Sequence, residues 1–293
     1  MAARYFVVDA FTDVAFKGNP AVVCVLDEQG KSEEWMKNVA VEFNQPMTCY
    51  VIPQRSVPKF ELRWFSPNGL EMKLCGHATL AAIHVIGSLN GESNDVGVVN
   101  FSSASGPLNA KRVVENDDTS SSSSITSGKV STIELIFPLA PTVKCSPDEL
   151  TLMSKALAGA RVVEQLKTIA SEEDFFVVLE SGKDVEEFEP NFEDIKKWPG
   201  RGMIVTARAD DSSHFDFISR MLAPKFGIPE DHVCGSAHCA LAPYWSQKLG
   251  KTDLVAYQAS SRGGILKLHV DANEQKVHLQ GKAITVMEGF LHV

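Results

Sequence analysis

The sequence contains no long apolar run and no excess of positive charge. No segment approaches the ~18 consecutive apolar residues of a transmembrane helix, and the start of the chain lacks the basic and apolar regions of a secretory signal. Asp and Glu number 37 against 28 Lys and Arg, a formal net charge of −9. A general nucleic-acid binder needs a basic face and is excluded. We therefore expect a cytoplasmic protein with neither a nucleic-acid nor a membrane partner.

Cysteine is sparse, with six residues among 293. Secreted domains stabilised by disulfides are short and rich in cysteine, so a disulfide framework is not expected and the thiols should be reduced. The 44% hydrophobic and 22% charged content is that of a globular protein. The question is then which thiols have a function among Cys24, Cys49, Cys75, Cys145, Cys234 and Cys239.

One segment differs in composition from the rest of the chain. Residues 115–128 read ENDDTSSSSSITSG, which has too few apolar side chains to fold and indicates a flexible linker. The predicted organisation is an N-terminal lobe over 1–117, a linker over 118–128 and a C-terminal lobe over 129–293. This organisation leaves open a return of the last strands to the first lobe.

Strand and helix patterns alternate on both sides of this linker. Arg4–Asp9 and Pro20–Leu26 are strand-like, and Ser32–Asn44 has the spacing of a helix with Ser32 as its N-cap. Ser146–Glu149 reads as a capping box with proline at the first helical position. The fold class is therefore α+β with many short strands.

A heptapeptide is repeated on the two sides of the linker. Residues 75–81 read CGHATLA and residues 234–240 read CGSAHCA, so both follow C-G-x-A-x-x-A. Each copy lies shortly after a proline and leads into a helix-forming segment. The repeat predicts duplicated lobes that face each other.

The chemistry of this motif points to a thiol and an anion. A helix that starts after Cys-Gly offers backbone N–H groups with partial positive charge, which bind a carboxylate and are expected to lower the thiol pKa from about 8.5. Two such thiols on either side of one ligand would move a proton from one face of a carbon to the other. The N–H groups would stabilise the developing negative charge.

Two other interpretations of these residues stay open. A free cysteine is most often a packing residue, and we assign Cys24, Cys49 and Cys145 to that class. A zinc site is the second alternative, but the usual C-x-x-C spacing is missing and the first copy offers only Cys75 and His77. The ligands of such a zinc site would be His232, Cys234, His238 and Cys239.

Several segments resemble the phenazine-biosynthesis-like (PhzF-like) proteins, which share the diaminopimelate-epimerase fold. The resemblance implies two similar lobes, each a curled mixed sheet around a central helix, with the active site between the lobes. It also implies a homodimer and no cofactor. The segments that carry it are 9–12, 16–23, 64–67, 74–79 and 235–245.

The chain departs from this family at two positions. Met47 stands where the best-known phenazine enzyme has its acid/base glutamate, and methionine cannot transfer a proton. Cys234 stands where the family commonly has threonine, so that Cys75 and Cys234 resemble the cysteine pair of diaminopimelate epimerase and proline racemase. Together the two changes favour inversion at an α-carbon over allylic isomerisation.

The sequence thus predicts a cofactor-independent amino-acid racemase or epimerase, with a small amino acid or related carboxylate as substrate and no metal. Cys75 and Cys234 are the predicted catalytic pair. The alternatives are a PhzF-like isomerase of another small carboxylate that uses Asp231 or His77, and a ligand-binding homologue without activity. The resemblance implies that Asn19 positions the substrate. The other predicted substrate-binding residues are Gly76, His77, Ala78, Asp231, Gly235, Ser236 and Ala237.

Overall fold

The structure is a computed structural model that describes residues 2–55, 59–89, 98–104, 106–113, 130–157, 159–169 and 173–292. The chain divides into two compact units, Met1–Ile136 with Gln280–Val293, and Phe137–Leu279. The predicted linker lies outside the described residues, and the boundaries drawn from the sequence stay predictions. Among the residues described, there is no helix with the length and apolarity needed to cross a membrane.

Short strands and helices alternate along the chain, which confirms the α+β class. The first elements are β1 (Ala3–Ala10), β2 (Asn19–Val25), α1 (Glu33–Phe43), β3 (Thr48–Pro53), β4 (Lys59–Phe65), β5 (Glu71–Met72), α2 (Gly76–Leu89), β6 (Val98–Ser103), β7 (Gly106–Val113) and β8 (Val130–Pro138). They are followed by β9 (Thr142–Lys144), α3 (Pro147–Met153), β10 (Val162–Thr168), β11 (Asp174–Leu179), α4 (Gly182–Glu187), α5 (Phe192–Ile195), β12 (Gly202–Arg208), β13 (Phe217–Leu222), a 3₁₀ turn (Pro224–Phe226), β14 (Glu230–Asp231), α6 (Gly235–Leu249), β15 (Asp253–Gln258), β16 (Gly264–Asp271) and β17 (Lys276–Leu291).

The strands of the first unit close into a barrel. From β1 the pairs run to β2 (antiparallel), β3 (parallel), β4 (antiparallel), β6 (parallel), β7 (antiparallel) and β8 (antiparallel). The barrel closes because β17 pairs with both β8 and β1. Helix α2 packs against β1, β2, β3 and β7. Its residues 77–86 are all buried, as expected for a helix covered on every side.

The second unit repeats this order of strand pairs. β10 pairs antiparallel with β11, β11 parallel with β12, β12 antiparallel with β13, β13 parallel with β15, and β15 antiparallel with β16. The alternation of antiparallel and parallel pairs is that of β1 to β7. Helix α6 takes the place of α2 in chain order and packs against β15 and β16.

Each unit also carries the same ion pair at the same place in this order. Arg63 on β4 makes a two-pronged ion pair with Glu71 on β5, and Arg220 on β13 makes the same contact with Glu230 on β14. Each glutamate stands four residues before a motif cysteine. The repeat therefore extends beyond the heptapeptide.

The helix starts predicted from the sequence are confirmed. Ser32 caps α1, because its hydroxyl accepts the Trp35 N–H at 3.2 Å. Ser146 and Glu149 form the predicted capping box of α3, in which each side chain accepts the other residue's N–H. These contacts satisfy N–H groups that a helix cannot pair within itself.

Candidate functional site

Both motif cysteines stand where a core helix begins, as the sequence predicts. Cys75 directly precedes α2, and the Cys75 carbonyl accepts the Thr79 N–H at 3.0 Å. Cys234 is the N-cap of α6 and has extended backbone angles. The N–H groups of each first turn therefore lie beside a thiol.

The Cys75 thiol has a histidine as its neighbour. Its sulfur lies 3.3 Å from Nδ1 of His77, and both side chains are buried. The Thr79 hydroxyl donates to the Cys75 carbonyl at 2.7 Å, which fixes the first turn of the helix. A thiol and an imidazole at this distance can share a proton. Both residues were predicted from the sequence as site residues, but their contact was not.

The G-N-P loop of the first unit is tightly packed. Gly18 has φ +65°, and a Cβ there would lie 2.2 Å from the Ala10 carbonyl oxygen, so only glycine fits. Asn19 follows as the first residue of β2 and is fully buried. Met47 is also buried, and its carbonyl accepts the Val22 N–H. A thioether occupies the position of the family glutamate.

Burial dominates the ionisation of the second thiol. Only 6% of Cys234 is exposed, and its pKa is raised to about 12, first by burial and then by the Asp231 carboxylate. Arg201, the Ser236 hydroxyl and the Ala237 N–H act in the opposite direction. The expectation that the helix start leaves this thiol with a lowered pKa is wrong, because loss of solvation outweighs the N–H groups.

The loop that carries Asp231 is held by the end of β15. The Gln258 side chain accepts the Cys234 N–H at 2.8 Å and donates to the Asp231 carbonyl at 2.6 Å. Ser260 donates to the His232 carbonyl at 2.6 Å. Asp231 is thereby kept near the thiol, whose pKa its charge raises.

Sequence reasoning missed Arg201. Its guanidinium donates through Nε and Nη2 to the two carboxylate oxygens of Asp174, and through Nη1 to the Ser236 hydroxyl at 2.8 Å. The Ser236 oxygen in turn lies 3.3 Å from the Cys234 sulfur. Arg201 is far from Cys234 in the chain, and the glycines on either side of it were the only sequence signal.

The candidate zinc ligands have other roles. Nδ1 of His238 bonds the Cys234 carbonyl at 2.7 Å, and burial lowers the His238 pKa to about 4. Cys239 contacts the Gly235 carbonyl at 3.7 Å, and burial raises its pKa to about 12. In the part of the chain that the structure describes, no three His, Cys, Asp or Glu side chains are grouped to hold a metal ion.

In the first unit, neighbouring thiols affect the pKa of the buried Cys49, which the sequence did not indicate. The pKa of Cys49 on β3 is raised by burial and further by the Cys75 and Cys24 thiols. Cys49 is fully buried and, like Cys24, is assigned to packing.

Comparison with known proteins gives consistent matches. The PhzC-PhzF family model, described as phenazine biosynthesis-like protein, matches residues 8–289. An uncharacterized isomerase of Halalkalibacterium halodurans is 38% identical over 291 residues, which cover 99% of both chains. The crystal structure of a PhzF-family protein from Enterococcus faecalis is 36% identical, with a TM-score of 0.81 and 100% of both chains covered.

A more distant protein shares the fold alone. A probable proline racemase from Agrobacterium radiobacter is 10% identical, with a TM-score of 0.54 over 98% of this chain and 92% of that one. The matches to the family model and to full-length relatives show that the chain belongs to the PhzC-PhzF family of phenazine biosynthesis-like proteins and has an epimerase-like fold.

Proposed function

We propose that the protein is a cofactor-independent isomerase that inverts the α-carbon of a small amino acid or related carboxylate, with Cys75 and Cys234 as its acid/base pair. The observation that carries the proposal is the duplicated placement of a buried thiol at the start of a core helix in each unit. The mechanism requires the two sulfurs to stand on opposite faces of one substrate carbon, as the resemblance implies.

The substrate carboxylate is assigned to the two helix starts. The backbone N–H groups of residues 76–78 and 235–237 belong to first turns, where the helix itself supplies no acceptor. In this proposal Asn19 positions the substrate and Asp231 pairs with its ammonium group. As the α-proton leaves, the same N–H groups stabilise the enolate-like charge.

The proposal assigns opposite roles to the two thiols. Cys234, with its pKa raised to about 12, carries its proton at neutral pH and is the acid in one direction. Cys75 lies 3.3 Å from Nδ1 of His77, a group that can accept a proton, and is assigned as the base. The base takes the α-proton, the Cys234 thiol protonates the opposite face, and the reverse reaction exchanges the two roles.

The relatives favour isomerisation as the reaction class. The relative that is 38% identical over the full length is named an isomerase. The distant protein with the same fold is named a probable proline racemase, which suggests amino acids as the first substrates to test. The homodimer and the cytoplasmic location expected from the sequence stay predictions, and light scattering after size exclusion tests the first.

A panel of L-amino acids in deuterated water tests the proposal. Chiral separation and mass analysis should find the inverted enantiomer carrying deuterium for at least one substrate. Cys75→Ala and Cys234→Ala should each abolish inversion, whereas Cys145→Ala, which removes a half-buried thiol of the second unit, should keep it. Unchanged turnover in either motif variant would exclude the two-thiol mechanism.

A second candidate keeps the fold but changes the reaction to the isomerisation of another small carboxylate, with Asp231 or His77 as the acid/base group. Asp231 lies close enough to Cys234 to raise its pKa, and His77 contacts Cys75, so either residue has a position for proton transfer. This mechanism predicts that Cys234→Ser retains activity. A ligand-binding homologue without activity predicts no deuterium incorporation into any amino acid.

A further inference from the structure

We propose that Arg201 is a positioning residue that, held by Asp174, turns the Ser236 hydroxyl toward the Cys234 sulfur and so stabilises the thiolate left when Cys234 gives up its proton. The inference deepens the proposed function and rests on the assignment of Cys234 as an acid/base group. It adds two residues, Asp174 and Arg201, that lie outside the repeated motif.

Arg201 and Asp174 form a two-pronged ion pair. Asp174 is only 3% exposed and receives two donors from the guanidinium. The buried Asp174 carboxylate and the partly exposed Arg201 guanidinium largely balance each other's charge in this two-pronged arrangement, so Arg201 is not a vacant site for a substrate anion. The remaining nitrogen, Nη1, donates to the Ser236 oxygen at 2.8 Å.

The direction of the hydrogen bonds follows from the chemistry of arginine. A guanidinium can only donate, so the Ser236 oxygen must be the acceptor of that bond. The serine hydrogen is then available for the Cys234 sulfur, 3.3 Å away. A hydroxyl that donates a hydrogen bond to a cysteine sulfur favours the thiolate over the thiol. When Cys234 is a thiolate, which can only accept, the order of donation is Arg201 to Ser236 to Cys234.

The backbone around Arg201 is shaped to hold it. Gly200 has φ +78°, and a Cβ there would lie 2.3 Å from the Glu173 carbonyl oxygen. At Gly202 a Cβ would lie 2.2 Å from the Leu222 carbonyl oxygen, so neither glycine can be replaced without a shift of the backbone. The Arg201 N–H donates to the Glu173 carbonyl at 2.7 Å. These contacts fix the backbone from which the Arg201 side chain extends to Asp174.

The experiment measures the alkylation rate of Cys234 in the full-length protein, with no substrate present. Iodoacetamide at a fixed pH of 9, with peptide mass spectrometry, reports Cys234 and Cys75 separately; methyl methanethiosulfonate serves as a smaller second reagent. The variants are Ser236→Ala, Ser236→Thr and Arg201→Lys. Arg220→Lys is the matched control, because it alters another two-pronged arginine–carboxylate pair of the same unit.

Ser236→Ala should slow Cys234 alkylation about three- to tenfold. Loss of one hydrogen bond to a charged group raises the thiol pKa by about one, and the higher intrinsic reactivity of a more basic thiolate offsets part of the loss. Arg201→Lys should slow Cys234 alkylation as well. The slowing caused by Arg201→Lys should be smaller in the Ser236→Ala background than in the wild type. Ser236→Thr and Arg220→Lys should leave the rate within twofold of the wild type.

Alkylation of Cys234 in Ser236→Ala or in Arg201→Lys at the wild-type rate, or faster, would overturn the inference. A merely structural role would open the site and speed the reaction, which is the opposite sign. Alkylation does not depend on turnover, so the two proposals can fail separately. If Ser236→Ala and Arg201→Lys do not slow Cys234 alkylation while the wild type inverts a substrate, the positioning role is refuted. If these variants slow alkylation but the wild type inverts no substrate, the racemase is refuted.

Discussion

His84 should make the first unit lose stability as the pH falls from 6.5 toward 4. The residue lies on α2, is 2% exposed, and joins the Ser131 hydroxyl at 2.6 Å to the Thr285 hydroxyl at 3.0 Å. Burial, and then the charge of Arg112, lowers its pKa from 6.5 to about 4. The unfolded chain therefore binds a proton in this range that the folded chain does not, so the free energy of unfolding decreases with decreasing pH.

The size of the effect follows from that difference. A pKa difference of about 2.5 corresponds to about 3 kcal/mol of unfolding free energy below pH 4 and about 2 kcal/mol at pH 5. His84→Gln removes the titrating group. Urea unfolding measures the free energy of unfolding at pH 7.5 and at pH 5.0. Between these two pH values the wild type should lose about 2 kcal/mol more of this free energy than His84→Gln does. His214→Gln, at an exposed position of the second unit, should lose as much as the wild type.

An equal loss in the wild type and in His84→Gln would refute the reasoning. It would mean that the folded protein accepts a proton at His84 as readily as the unfolded chain. Each nitrogen of the ring meets a hydroxyl, and hydroxyls can reverse their direction. Such a result would show that hydrogen bonds to imidazolium offset the loss of its solvation.

Two further predictions concern the neighbours of the thiols. Asp231→Asn should speed the alkylation of Cys234 at pH 9, because the Asp231 carboxylate raises the pKa of that thiol. A slower reaction would contradict this prediction. Asp210→Asn, on an exposed turn, is the control. Met47→Leu should retain the inversion activity, because a buried thioether has no part in proton transfer. Loss of inversion in a folded Met47→Leu variant would show that residue 47 contributes to the site.

The local elements could be predicted because neighbouring residues determine them. Ser32 and Ser146 cap helices through contacts within three residues, and the strand patterns of β1 and β2 follow from apolar runs. The positions of Cys75 and Cys234 at helix starts follow from the same local logic, since a small residue after Cys-Gly opens a helix. These features carried the fold class and the family resemblance.

The electrostatics of the site could not be predicted because they depend on distant parts of the chain. The pairing of β11 and β12 brings Asp174 next to Arg201, and Arg201 contacts Ser236 across 35 residues of chain. The pKa of Cys234 depends on how completely the fold buries it, which a motif does not state, so the expected lowering was wrong in sign. Gln258 was missed for the same reason, since its contact with Cys234 joins the end of β15 to the start of α6.

The isotope pattern after a small extent of reaction tests the two-thiol account most directly. One enantiomer of the substrate identified in the panel is incubated in deuterated water, and the two enantiomers are separated before about a tenth has been inverted. The account predicts deuterium at the α-carbon of the inverted enantiomer and ordinary hydrogen in the recovered starting enantiomer, because each thiol serves one face. Deuterium in both enantiomers at similar levels, or inversion without deuterium, would contradict it.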